Sequence, residues 1–141
     1  MHVLVAVDDS EPGWKALDHA LETFEDAEVT VLHVVDPVEL VYGDVEGGYF
    51  DQSILDSALE AGESLLERAA TRATDAGRGE AVETVLETGQ PSRTIVEYAS
   101  EHGVDHLVVG SHGRSGVSRV LLGSVAESVA RRAEVPVTIV R

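Results

Sequence analysis

Apolar runs alternate with helically spaced apolar positions along most of this chain. His2-Val-Leu-Val-Ala-Val7 is almost continuous and rich in valine, which predicts a strand buried on both faces. It stops at Asp8-Asp9-Ser10. Ser10 is placed to cap a helix, Glu11 suits the first turn and Pro12 the start, with Trp14, Leu17, Ala20, Leu21 and Phe24 on the inner face. Glu28 to Asp36 reads as a second strand closed by Pro37. Residues 37–52 carry Tyr42, Gly43, Gly47, Gly48 and Tyr49 with several acids and no period, so a loop is expected, of a length common for lids; Tyr42, Tyr49 or Phe50 could cover a ligand there. From Gln52 to Ala76, small and apolar residues at 54, 55, 58, 59, 62, 65, 66, 69, 70 and 73 predict one long helix ended by Gly77, its broad Ala-rich stripe fitting a sheet better than a coiled coil. Ala81 to Thr88 alternates as a strand with one wetter face, as at an edge. Gly89-Gln-Pro91 opens a helix bearing Ile95, Val96 and Ala99 that stops near Gly103, and Asp105 to Val109 is a fourth strand. A helix over Val125 to Arg132 and a strand over Val135 to Val140 close the chain. Strict β–α alternation predicts an α/β fold, an open five-stranded parallel sheet with right-handed crossovers and helices on both faces.

The segment between the fourth strand and the last helix holds the candidate chemistry. Gly110-Ser-His-Gly-Arg-Ser-Gly-Val-Ser-Arg-Val-Leu-Leu-Gly123-Ser124 has glycines at 110, 113, 116 and 123. Glycine reaches backbone angles closed to other residues and puts no Cβ between main chain and ligand, so several N–H groups can converge on an anion. The helix that follows would add the unpaired amides of Ser124, Val125 and Ala126, its positive dipole end and the Ser124 hydroxyl, while Arg114 and Arg119 add charge. A phosphate site is the expected consequence. The spacing is neither GxxxxGK[ST] nor GxGxxG, which removes the P-loop and dinucleotide readings.

With the spacing G-x2-G-x9-G-[ST] at Gly110, Gly113, Gly123 and Ser124, the chain resembles the universal stress protein family, in particular its ATP-binding branch. Met1 to Ser10 is similar to the family's opening strand and acidic turn, and Val135 to Val140 to its closing strand, so the resemblance spans the chain, read as one domain over residues 1–141. It implies strand order 3-2-1-4-5, a Rossmann-like arrangement of the adenine nucleotide alpha hydrolase type. Asp8 would then meet Gly110 across the switch between strands 1 and 4, where open α/β sheets bind ligands. The implied nucleotide site comprises Val7, Asp8, Ser10, Val34, Val109, Gly110, Ser111, Gly113, Arg114, Gly123, Ser124, Val125 and Ala126. Asp8 would contact ribose or the adenine edge and Val34 would line the adenine pocket. Gly89, at a strand end near the nucleotide in the family, is not assigned to the site. His33 is expected to pack within its strand and Asp9 to cap or solvate the turn. The resemblance also implies a homodimer formed by two-fold pairing of strand 135–140, whose apolar edge is otherwise guarded only by Pro136 and Arg141.

Charge changes this picture in one respect. The net charge is −16, yet residues 107–141 hold five arginines and two acids, and the rest of the chain carries the negative excess. The positive region therefore coincides with the phosphate loop. An acidic surface with a single lysine, Lys15, resembles proteins adapted to high salt, and it argues against nucleic acid as partner. No run of about 20 apolar residues is present, so no membrane span is expected, and without cysteine there is no disulfide or thiolate chemistry; a soluble cytoplasmic protein is the expectation. Only His112, Asp8 and Asp9 offer themselves as a catalytic base, and no Walker lysine or dedicated acidic pair accompanies them, so no catalytic residue is assigned. The expected ligand is ATP, with Mg2+ or Mn2+ bridging its phosphates and held mainly by nucleotide and water. The expected role is a nucleotide-dependent regulatory or sensing module in stress response. Two alternatives stand beside it: a slow ATPase or autophosphorylating protein accepting phosphate on Ser111, Ser115, Ser118 or Ser124, and a nucleotide-free interaction scaffold.

Overall fold

The computed structural model describes residues 1–42, 52–112 and 122–141, with side chains omitted at 41 and 42. The strands are β1 (His2–Ala6), β2 (Glu28–Val35), β3 (Val82–Thr88), β4 (His106–Gly110) and β5 (Val137–Val140), and the helices are α1 (Glu11–Thr23), α2 (Pro37–Tyr42), α3 (Gln52–Asp75), α4 (Pro91–Glu101) and α5 (Ser124–Arg132). All pairings are parallel and the order is β3-β2-β1-β4-β5, so β1 is central, paired as Val5↔Val31 on one side and Val5↔Val108 on the other. The order expected from the resemblance holds.

The pleat of β1 sorts the core. Val3, Val5 and Val7 join Leu17, Ala20 and Leu21 of α1 and Leu65, Leu66, Ala69 and Ala73 of α3, whereas Leu4 joins Ile95, Tyr98 and Ala99 of α4 and Ala126 and Val129 of α5. Adjacent residues thus supply opposite layers, as the two-residue strand period requires, and this explains why the run lacks polar positions. A fully buried Val or Leu here contributes about 1.5–3 kcal/mol. The expected alternation of the edge strand β3 is not seen: Glu83 and Thr88 are exposed, while residues 84–87 are all half-buried. No helix among the described residues is long and apolar enough to cross a membrane.

The loop expected over 37–52 begins instead with a helix, α2. Asp36 Oδ1 accepts from the amides of Val38 (2.9 Å) and Glu39 (3.4 Å), and Pro37 occupies the first turn, a capping arrangement that nucleates the helix. Tyr49 and Phe50 lie outside the described residues. A 3-10 turn over Gly79–Ala81 delays β3 to Val82, and β5 starts at Val137 rather than Val135. Arg78 ties this corner to the end of α1 and the turn after it, its guanidinium donating to the carbonyls of Leu21 (2.7 Å), Phe24 (3.1 Å) and Ala27 (2.9 Å).

Candidate functional site

Strands β1 and β4 end side by side, and the turns that follow them meet. After β1, Val7 still pairs with the sheet, its amide donating to Leu32 O (3.0 Å) and its carbonyl accepting from His33 Nδ1 (2.8 Å). His33 is therefore a packed strand histidine, as expected. Asp8 folds back over the turn, Oδ1 accepting from the Ser10 amide (3.2 Å) and hydroxyl (2.5 Å). Ser10 Oγ in turn accepts from the Gly13 amide (3.1 Å), capping α1 as the sequence indicated. The same oxygen lies 3.5 Å from the carbonyl of His112, which joins the β1–α1 turn to the segment after β4.

The second wall is built on β4. Ser111 donates its amide to Val140 O of β5 (2.7 Å), and its carbonyl accepts from the Gly123 amide (2.7 Å). Residue 123 is thereby returned to the strand end from which the segment departs. Gly123 is the N-cap of α5 and makes no side-chain cap bond; the helix ladder begins with Glu127 N to Gly123 O (3.0 Å). The amides of Ser124, Val125 and Ala126 precede that ladder and carry the positive end of the helix dipole. Ser124 is exposed. His112 Nδ1 lies 3.1 Å from Ser111 Oγ.

Two glycines have a different physical reason from the one read in the sequence. Gly123 has φ −66°, open to any residue, and Gly110 is not among the positive-φ glycines. A Cβ on Gly110 would stand 2.8 Å from Pro12 C and 2.9 Å from Gly13 N, and one on Gly123 would stand 2.9 Å from His112 Cα. Neighbouring main chain alone leaves no room for a side chain at either position. Substituting Gly123 by valine would therefore strain the fold itself.

Of the thirteen expected site residues, Asp8, Ser10, Gly110, Ser111, Gly123 and Ser124 converge at this strand end. Val7, Val109, Ser111 and Ala126 are buried, so at Val7, Val109 and Ala126 only main-chain atoms could face a ligand. Val34 and Val125 are half-buried beside the α4–α5 layer. Gly113 and Arg114, with Ser115, Gly116, Ser118 and Arg119, lie outside the described residues. Sequence reasoning missed Gly13, whose added Cβ would sit 3.1 Å from both Asp8 Oδ1 and Ser10 Oγ. A small residue three places after a capping serine was the available signal. Asp9, expected to cap or solvate, instead has φ 66° and bonds side chains of α1 and α3. Among the described residues no group of three or more His, Asp or Glu is arranged to hold a metal. The arrangement offers main-chain donors to an anion at one end and the Asp8 carboxylate, held by Ser10, to a polar ligand at the other.

A family model described as "Universal stress protein family" matches residues 1–141. The universal stress protein YxiE of Bacillus subtilis is 34% identical over 146 residues, covering 99% of this chain and 97% of its own. The solved structure of MJ0577 from Methanocaldococcus jannaschii superposes with TM-score 0.83 at 31% identity, covering 99% of this chain and 94% of that one. A crystal structure of a universal stress protein in complex with cAMP superposes with TM-score 0.74 at 29% identity, covering 100% of this chain and 97% of that one.

Proposed function

The chain belongs to the universal stress protein family, and we propose that it is a nucleotide-binding member that takes ATP as a regulatory or sensing ligand. The observation that carries this reading is that Ser111-His112, at the end of β4, meets both the Asp8–Ser10 turn and the start of α5 at Gly123, beside the junction of β1 and β4. That junction is the switch point of the sheet, where neighbouring strands continue in opposite order. The cAMP complex of a relative supports an adenine nucleotide in this fold. In this reading Asp8 meets ribose or the adenine edge, with Ser10 fixing its carboxylate, and main chain at Val7 and Val34 borders the base. Main chain at Val109, Gly110 and Ser111 forms the floor. Gly113, Arg114, Gly123, Ser124, Val125 and Ala126 surround the phosphates. Mg2+ or Mn2+ would be held by phosphate oxygens and water. The chain acts as one domain over residues 1–141 and pairs with a second copy through β5, whose residues are only half-buried in the single chain.

The test is mass spectrometry of nucleotide released from the purified, denatured protein, then calorimetric titration of ATP into the stripped protein in high salt. Recovered or re-bound ATP that stays intact on incubation is the expected result. ADP or phosphoserine accumulating with time would replace the sensor by an enzyme. A protein that is empty and ignores added ATP would overturn the reading and leave the scaffold.

A further inference from the structure

We propose that Arg68 and Trp14 are positioning residues for this site, acting by holding Asp9 in a left-handed backbone conformation. The inference rests on the nucleotide reading above for its effect on affinity, but its geometry stands apart from it. Asp9 has φ 66° and is the one non-glycine with positive φ among the described residues. An L-residue enters this region at an energetic cost, somewhat reduced for Asp by its short polar side chain. The cost falls at a decisive place. Asp9 is the corner between β1 and the cap of α1, and it lets Asp8 Oδ1 turn back onto the amide and hydroxyl of Ser10. A corner relaxed to negative φ would aim the Asp8 carboxylate elsewhere.

The side chain of Asp9 is held from two helices. Its Oδ1 accepts from Trp14 Nε1 of α1 (3.1 Å) and from the Arg68 guanidinium of α3 (3.1 Å). The donors are themselves braced. Arg68 and Arg72, one helical turn apart, each place their guanidinium carbon 5.4 Å from the Trp14 ring centre, a cation–π distance. Arg72 is fixed by a bidentate pair with Asp18 at 2.6 and 2.8 Å. On its other side the turn is hemmed in by Gly13, where even a methyl group would crowd Asp8 and Ser10. The corner is thus set from without by α3 and from within by α1. An exposed ion pair alone contributes little to stability, so the effect of Arg68 is expected in affinity rather than in unfolding.

The experiment is calorimetric titration of ATP into the full chain and its variants, together with amide chemical shifts of Asp8 and Ser10 in the ligand-free protein. Arg68→Ala is expected to weaken ATP binding about fivefold and Trp14→Phe about twofold. Asp9→Ala, which loses the carboxylate and disfavours positive φ, falls at least as far as Arg68→Ala. Asp9→Gly recovers most of that loss, because glycine adopts this φ without a clamp. In the Asp9→Gly background, removing Arg68 changes affinity less than about twofold. A merely structural role would lower melting temperature alike in both backgrounds and show no such rescue. Wild-type affinity in Arg68→Ala, or equal losses in Asp9→Ala and Asp9→Gly, would overturn the proposal. If the wild-type chain does not bind ATP, the nucleotide reading fails and the shifts decide the clamp. Asp8 and Ser10 amides that move on Arg68→Ala, and not on the same change in the Asp9→Gly background, support it; amides that stay in place overturn it.

Discussion

Replacing Gly110 with alanine tests whether the crevice depends on main chain meeting main chain. The new Cβ would lie 2.8 Å from Pro12 C, 2.9 Å from Gly13 N and 2.9 Å from Pro12 Cβ, well inside ordinary contact. Backbone cannot rotate away as a flexible side chain does. The start of α1 must shift by roughly half an ångström, and it is pinned by Ser10 Oγ on the Gly13 amide and by fully buried Ala16 and Leu17. Overpacking of this kind costs about 1–3 kcal/mol, and gaining a Cβ in an extended strand end returns up to about 1. A net loss of about 1–2 kcal/mol lowers the melting temperature by roughly 3–8 °C for a chain of this size. Urea unfolding followed by the fluorescence of Trp14, the single tryptophan, reads the loss directly. Because the displaced turn carries Asp8 and Ser10, ATP affinity should fall as well. Gly77→Ala is the control: with φ +76° and nothing within 4 Å of its Cβ, it should cost about 1 kcal/mol through backbone strain and leave ATP binding alone. Wild-type stability in Gly110→Ala would refute the close approach; lost stability with unchanged affinity would detach the turn from the site.

Ser124→Ala removes an exposed hydroxyl at the first residue of α5, so the melting temperature of the empty chain should hold while ATP affinity drops about fivefold, or about 1 kcal/mol, by calorimetry. Arg78→Ala removes a donor from the carbonyls of Leu21, Phe24 and Ala27 at and just after the end of α1 and should cost about 1–3 kcal/mol, seen as a lower urea midpoint with unchanged slope. His106 has its pKa lowered by burial and by His19, so its folded value lies below the unfolded one, near 6.5. Its neutral form adds stability that is full above that unfolded value and is lost as pH falls toward the folded one. The wild-type urea midpoint should therefore drop more between pH 7.5 and pH 5 than that of His106→Asn, and equal drops would contradict the burial argument. ATP affinity should hold or rise between about 0.1 and 1 M KCl, because screening removes repulsion by a chain of net charge −16; a steep fall would mean that side-chain cations dominate binding.

Local periodicity carried most of the fold. The β1 run is unbroken because its odd and even residues feed different helical layers, and this is visible within six residues. Strand order is non-local and came from the family resemblance, since alternation alone permits other orders. The helix α2 was hidden because Asp36-Pro-Val-Glu39, itself a capping signal, stands before a stretch rich in glycine and acids. At the candidate site, residue types pointed to the segment between β4 and α5, but the unusual backbone angles read for Gly110 and Gly123 are not what those positions use. Gly110 is emptied for Pro12 and Gly13, and no local pattern announces a partner almost a hundred positions away. The same separation hid the Asp9–Arg68 pair, which joins residues whose sequence neighbourhoods look like an exposed turn and an exposed helix face.

Charge explains why main-chain geometry matters so much here. Lys15, Arg68, Arg72, Arg93 and Arg131 each sit against a carboxylate, and Arg78 is spent on carbonyls. Even Glu127, in the first turn of α5 where an acid would compete with an anion for the helix dipole, is drawn toward Arg131 at 2.8 Å. Few basic side chains of the described residues are then left to attract an anionic ligand to a chain so strongly negative. Backbone amides differ from lysines in two ways: they add no net charge to be neutralised by salt, and their direction is fixed by the fold. A short-range set of oriented donors at the α5 start can therefore act even where few described side chains supply long-range attraction. In the proposed reading, its precision depends on how Gly110, Gly123 and Asp9 seat the turns around it.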